Sequence, residues 1–177
     1  MTAPAAPTAP LGSTASTVRE ALLADPFHAA LVHLFEERIA FNRTIGLTVV
    51  SIAPDRARGR IARREDLIGN DLHQRLHGGV VSAGLDAIAG LACMAAIGAR
   101  HPGETVEQRL HRFLRLGTID LRIDYLRPAL AASYVLEGEV LRLGSRVASL
   151  RMAFFAEGAG GEPAELLATG SAAYIVS

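Results

Sequence analysis

HGGVVSAGLDAIAGLACMAAIGA, residues 77–99, is the stretch whose reading decides the fold. From Gly79 to Ala99, twenty-one residues pass with a single carboxylate, Asp86, surrounded by apolar or small residues. A helix that is apolar all round is buried, inside a protein or in a bilayer. Length alone would permit a membrane span, which takes roughly 20 residues. Ala and Gly dominate the stretch, however, and an Asp in its first half costs about 2.5–3.5 kcal/mol on insertion. Strand-like alternation on both sides also needs a helix to cover it. The expectation is a central helix in a folded domain and no membrane span.

An unpaired buried charge is expensive, so a carboxylate in such a helix is bonded to neighbours or has its pKa raised. Asp86 is therefore either a structural acid, bonded to a nearby hydroxyl or amide, or a reactive one. The start of the helix bears on that choice. His77-Gly78-Gly79 places two residues without side chains where the free helical amides begin. Such amides, backed by the helix dipole, favour an oxygen carrying negative charge. Glycine lets a ligand approach the backbone unobstructed. A carbonyl oxygen there would be polarised, and its oxyanion stabilised by roughly 2.7–4 kcal/mol per good donor.

Upstream, Thr17-x-x-Glu20 reads as a capping box that opens ordered structure, and Asp25-Pro26 offers a second helix start. Phe27, Leu31, Leu34, Phe35 and Arg38 then fall at helical spacing, with Glu36, Glu37 and Arg43 polar, which describes an amphipathic packing helix. Two short strands follow, 47–52 and 56–62, around the turn Pro54-Asp55. The second carries Arg56, Arg58 and Arg60, with Arg63 and Arg64 just beyond. These charges either dock phosphates or mark a solvated edge strand that resists aggregation. Downstream, 118–126 alternates, with Ile119, Leu121, Ile123 and Tyr125 on one face and Asp120, Arg122 and Asp124 on the other. A period of two marks a strand with one wet face; Arg127-Pro128 ends it. Strands over 134–143 and 146–156 flank a Gly144-Ser145 hairpin turn, and 165–176 supplies the last. The order is helix, two strands, apolar helix and about four antiparallel strands, an α+β layer fold.

Eighteen Arg balance eighteen Asp and Glu, and there is no lysine. Net neutrality gives no drive toward nucleic acid or an anionic membrane, and the absence of lysine excludes Schiff-base chemistry. A lone cysteine, Cys93, cannot form an internal disulfide and suits a reducing cytoplasm. Residues 1–16 are rich in Ala, Pro and Thr, uncharged, and lack the basic start and apolar run of a secretory signal. They read as a disordered tail before a single domain over 17–177 that carries an N-terminal helical extension.

The pattern Asn70-x6-His77-Gly78-Gly79-x6-Asp86 resembles the HGG signature of hotdog thioesterases of the PaaI-like type. The flanking LIGN and LHGGVVSAGLD, with GTIDLRIDYLRPA over 117–129, resemble its YigI-like subgroup, and the likeness covers about residues 45–177. That resemblance implies an α+β hotdog fold, with an antiparallel sheet of about six strands wrapped around one long helix. It implies a dimer and hydrolysis of acyl-CoA thioesters, with CoA as part of the substrate and no further cofactor. On the same resemblance the Gly78 amide polarises the thioester carbonyl, Asp86 is base or nucleophile, and Asn70 positions water or substrate. Gly78 and Asp86 lie eight residues apart, about 12 Å on a helix, whereas reacting groups must come within about 3–3.5 Å of one centre. One helix cannot present both to one carbonyl, but two helices related by a twofold axis can. A homodimer, or a dimer of dimers, follows.

Other candidates are weaker. His73 and His77 are four apart and could share a metal on a helix, but no third ligand has sensible spacing, and no metal is expected. His77 instead orients the loop by a ring-to-backbone hydrogen bond. Ser82 lacks a G-x-S-x-G elbow, and Cys93 lacks an activating base. Gly79 is assigned to substrate contact, and Arg127, Arg142 and Arg146 to phosphate contact. Met94, Ile97 or Phe154 could close the acyl pocket. The alternative activity is a non-catalytic acyl-CoA-binding hotdog, an effector sensor, although no basic recognition helix precedes residue 45. The segment 100–116 is longer than a minimal hotdog needs and has no assigned role.

Overall fold

In the computed structural model, which describes residues 12–176, the Asp25-Pro26 start is realised as the sequence predicts. The Asp25 side chain accepts from the His28 amide at 2.8 Å and Pro26 opens helix α2, Pro26–His33. A π-helical turn, Leu34–Arg38, and α3, Ala40–Ile45, continue it, and Ile39 breaks the path between them with extended backbone. Phe27, Leu31, Val32 and Phe35 are buried, so the apolar stripe packs inward as read. Helix α1, Gly12–Ala24, starts before the Thr17 box, which places Thr17 inside a helix and not at its cap. Of the tail read as disordered, residues 1–11 lie outside the described residues. Glu36 is not simply solvated. It takes two bonds from Arg19, both 2.8 Å, and one from the Val49 amide at 2.7 Å, tying α1 to the first strand.

Six strands form the main sheet in the order β1-β2-β6-β7-β8-β5, every neighbouring pair antiparallel. They are β1, Leu47–Ala53; β2, Arg56–Ala62; β5, Gly117–Tyr125; β6, Ser133–Leu143; β7, Val147–Glu157; and β8, Pro163–Ile175. A small ribbon of β3, Ile68–Asn70, and β4, Arg75–Leu76, precedes α4, Gly78–Ala99. Helix α4 lies against the strands of the main sheet, with Leu85, Ile88 and Leu91 fully buried. This is the hotdog fold: one long helix held by an antiparallel sheet, with added N-terminal helices. By length and apolar content α4 matches a membrane span, but most of it is buried inside the protein, as a core helix requires.

Two expectations change. Strand β2 is not an edge; it pairs with β1 and β6, and its arginines form ion pairs, Arg56 with Glu139, Arg58 with Glu137 and Glu162, Arg60 with Glu157. Nor does the β5 alternation run unbroken, because the register with β8 slips between Thr118 and Asp120. The slip is a bulge at Ile119 and turns Thr118 to the same face as Leu121 and Ile123.

Helix and sheet meet backbone to backbone. A Cβ on Gly138 of β6 would stand 2.8 Å from the Ile88 carbonyl oxygen of α4, so no larger residue fits without moving the helix. Gly138→Ala should therefore destabilise the fold by about 1–3 kcal/mol, read as a lower urea midpoint. Gly103→Ala, with nothing within 4 Å of the added carbon, should stay within about 0.5 kcal/mol of the parent.

Candidate active site

The amides at the start of α4 are not equivalent. His77 is the N-cap, and its Nδ1 accepts from the Gly79 amide at 2.8 Å. A Cβ on Gly79 would lie 2.8 Å from that same nitrogen, so the glycine is what lets the histidine cap. The Gly78 N–H has no hydrogen-bond partner among the described residues. The carbonyl oxygen of Gly78 accepts from Tyr125 Oη at 2.8 Å, which fixes its position against β5. Gly78, Asn70 and His77 line one cavity of about 510 Å³ whose wall is largely apolar, with Val81, Phe154 and Leu167 among its residues. Asn70 Oδ1 accepts from the His73 amide at 2.9 Å, closing the turn between β3 and β4.

Asp86 sits two turns further along α4 and is half-buried, not sealed inside the helix packing as its apolar neighbours suggest. Its Oδ1 accepts from Thr118 Oγ1 at 2.8 Å and from Tyr174 Oη at 2.6 Å. The same phenol lies 2.7 Å from the Asp86 carbonyl oxygen. Burial, then the bond to Asp86, pushes the Tyr174 phenol well above its ordinary range, so it stays a neutral donor. Oδ2 has no partner among the described residues. The arrangement holds one carboxylate oxygen and leaves the other able to accept a proton or attack an electrophile. Sequence reasoning missed both hydroxyls. Thr118 reaches Asp86 because of the Ile119 bulge, and Tyr174 because β8 pairs with β5, opposite Thr118. The run of alternation in each strand was the available signal; their pairing was not.

The three arginines read as phosphate contacts do not come together. Arg127 lines the cavity at Gly78, but it is engaged by Glu165 at 3.1 Å and by the Leu166 carbonyl at 3.0 Å. Arg142 and Arg146 flank the β6–β7 turn. Cys93 is buried, and burial pushes its thiol up to about 12, which leaves it unreactive. Ser82 donates to the Gly79 carbonyl. Among the described residues no three His, Cys, Asp or Glu side chains group as metal ligands. Gly78 and Asp86 share α4, so within one chain about 12 Å of helix separates them.

Comparison with known proteins bears on this geometry. The profile of the thioesterase superfamily matches residues 73–162, the span from the β3–β4 turn to just past β7. The medium/long-chain acyl-CoA thioesterase YigI of Escherichia coli (strain K12) is 34% identical over 119 residues, covering 67% of this chain and 77% of that protein. The crystal structure of a Shewanella oneidensis protein related to the thioesterase superfamily superposes with a TM-score of 0.75 at 32% identity. It covers 91% of this chain and 98% of that one. A candidate thioesterase from Syntrophus aciditrophicus gives 0.72 at 35% identity, covering 90% and 99%. With the family profile, a relative of this identity and the hotdog fold in agreement, the chain belongs to the thioesterase superfamily.

Proposed function

We propose that the chain hydrolyses acyl-CoA thioesters as a homodimer of single hotdog domains, in a reducing cytoplasm and without a metal or further cofactor. The observation that carries this reading is the pairing of one free amide, Gly78, with one carboxylate whose Oδ1 is fixed and whose Oδ2 is open. The relative's activity on medium and long-chain acyl-CoA agrees with a largely apolar cavity at Gly78 of a size common for small-molecule sites.

In the proposed reaction the thioester carbonyl oxygen accepts from the Gly78 N–H of one protomer. Asp86 of the other takes a proton from water as the water oxygen bonds to the carbonyl carbon. The amide stabilises the oxyanion that forms. Collapse breaks the carbon–sulfur bond, the proton on Asp86 passes to the leaving sulfur, and the free acid and CoA depart. Asp86 as nucleophile uses the same Oδ2: its attack breaks the carbon–sulfur bond, releasing CoA as thiolate and leaving a mixed anhydride. Water opens the anhydride to the free acid and the Asp86 carboxylate, while the proton set free goes to the CoA sulfur. Asn70 borders the carbonyl position. Thr118 and Tyr174 keep the carboxylate aimed.

The dimer is supported by two surfaces. Ser82, Ala83, Asp86, Ala87 and Met94 form a partly exposed stripe of mostly small residues on α4. Beside it, the edge strand β5 leaves Ile119 58% and Tyr125 55% exposed. An uncovered apolar edge invites pairing, and a second copy would cover both surfaces and bring the distant half-sites together.

Asp86→Asn should fold and lose activity by on the order of 10²-fold or more, followed as free-thiol release across a panel of acyl-CoA esters. Near-native turnover would make Asp86 structural; a wild type that binds acyl-CoA but releases no thiol would make the protein a sensor. The shared site has its own test. Asp86→Ala and Gly78→Pro each remove one essential group, and proline is tolerated at the first turn. In a mixed dimer one site receives both damaged groups and the other both intact ones, by twofold symmetry. Doubly tagged mixed dimers should recover about half of wild-type activity; mixed dimers as dead as their parents would refute the composite site.

A further inference from the structure

The arginines of this chain are unevenly committed. Among the described residues, nine of the eighteen are seen in ion pairs with carboxylates. At the far end of α4 the pattern changes. There a second cavity, about 640 Å³, lies between the helix end, the segment 100–116 and the β6–β7 turn. Arg100, His101, His111, Arg112 and Arg115 line it, and none of the described residues that line it carries a carboxylate. Arg112 is held by Glu104, and Arg100 spends one donor on the Leu143 carbonyl at 2.6 Å. Arg115 has no partner among the described residues, and Arg142 and Arg146, equally unpaired, flank the turn that forms the rim. The half negative charge at the C-terminus of α4 offsets only a fraction of this. Ile97, Leu143 and Val176 provide an apolar floor.

We propose that this cavity holds the phosphate end of CoA on the protomer that supplies Asp86, with Arg100 and Arg115 as its cations; the assignment rests on the acyl-CoA reading above. Length favours it. About thirteen bonds separate the thioester sulfur from the first phosphorus of CoA, roughly 16 Å when extended, from ordinary bond lengths. From Asp86, the rise along α4 is about 16 Å to Ile97 and about 21 Å to Arg100. A thioester at Asp86 therefore delivers its phosphates to the basic cavity, while the acyl chain goes to the apolar cavity beside the partner's Gly78. The extra segment gains a role: it carries both cations of the phosphate site.

The test separates this subsite from the hydrolysis reading by measuring binding directly. CoA and pantetheine, which lacks the phosphates, are titrated calorimetrically into the full chain. The variants are Arg115→Gln, Arg115→Gln with Arg146→Gln, and Arg75→Gln, the last removing an unpaired cation beside the other cavity. Both substituted arginines of the double variant are exposed, so folding should hold. Charge-assisted hydrogen bonds of ordinary strength predict a CoA Kd about tenfold weaker in the double variant, with a smaller loss in Arg115→Gln. Pantetheine affinity should not change in either. Unchanged CoA affinity, an equal loss for pantetheine, or the loss appearing in Arg75→Gln instead would each overturn the proposal. Thiol release by the wild type is scored separately: hydrolysis with arginine-independent CoA binding removes only the subsite, and arginine-dependent binding without hydrolysis removes only the enzyme.

Discussion

A helix that is apolar on every side must be enclosed on every side, and a single sheet covers only part of it. That constraint organises the molecule. The sheet presses on α4 until Gly138 meets the Ile88 carbonyl, an approach that only a residue without a side chain allows. The N-terminal helices close a second side, where the Phe27 ring lies directly over Gly98. What remains is the stripe around Asp86, bordered by the exposed β5 edge. The part of α4 that its own chain does not cover is thus the part that carries the carboxylate.

The electrostatics around that carboxylate are selective. With no lysine and eighteen arginines, the chain has ample means to neutralise an acid by a salt bridge, and it does so repeatedly on the outer face of the sheet. Asp86 receives two hydroxyls instead. A guanidinium would engage both carboxylate oxygens and hold them ionised and occupied. Thr118 and Tyr174 engage only Oδ1, giving orientation without a counter-charge. At the other end of the proposed reaction the same economy holds: His77 satisfies Gly79 and leaves Gly78 unspent.

What the sequence reveals and what it hides divide along the range of the interactions. Local signals transfer well. The Asp25-Pro26 cap, the strands at 47 and 56, the Gly144-Ser145 hairpin and the unbroken apolar helix all lie within a few residues of their cause. His77 as an orienting ring is local too. The misreadings are of another kind. Strand β2 looks like a solvated edge because the glutamates that pair its arginines lie about 80 to 100 residues away. Thr17 fits a cap pattern, yet α1 already runs through it. Thr118 and Tyr174 meet Asp86 only through the β5–β8 register and its bulge, which no periodicity encodes. The His77 bond to the Gly79 amide is a local pattern; the bonds from Thr118 and Tyr174 to Asp86 Oδ1 are not.

The segment 100–116 shows how a surface addition reaches the centre of the molecule. Thr105 caps α5, Val106–His111, in a capping box with Gln108, and Glu104 clamps Arg112. Arg109 lies 5.1 Å over the Phe27 ring, and Phe113 packs 6.1 Å from that ring. The Leu116 amide then bonds to the Phe113 carbonyl at 3.0 Å, one residue before β5 begins. Phe27 therefore anchors both the end of α4, through Gly98, and the approach to Thr118. Both supports of the Asp86 geometry, the helix that carries it and the strand that holds its Oδ1, are referred to one buried ring. Elements added around the core helix thereby also set the reach of a hydroxyl to a carboxylate, within the few tenths of an ångström that a hydrogen bond tolerates.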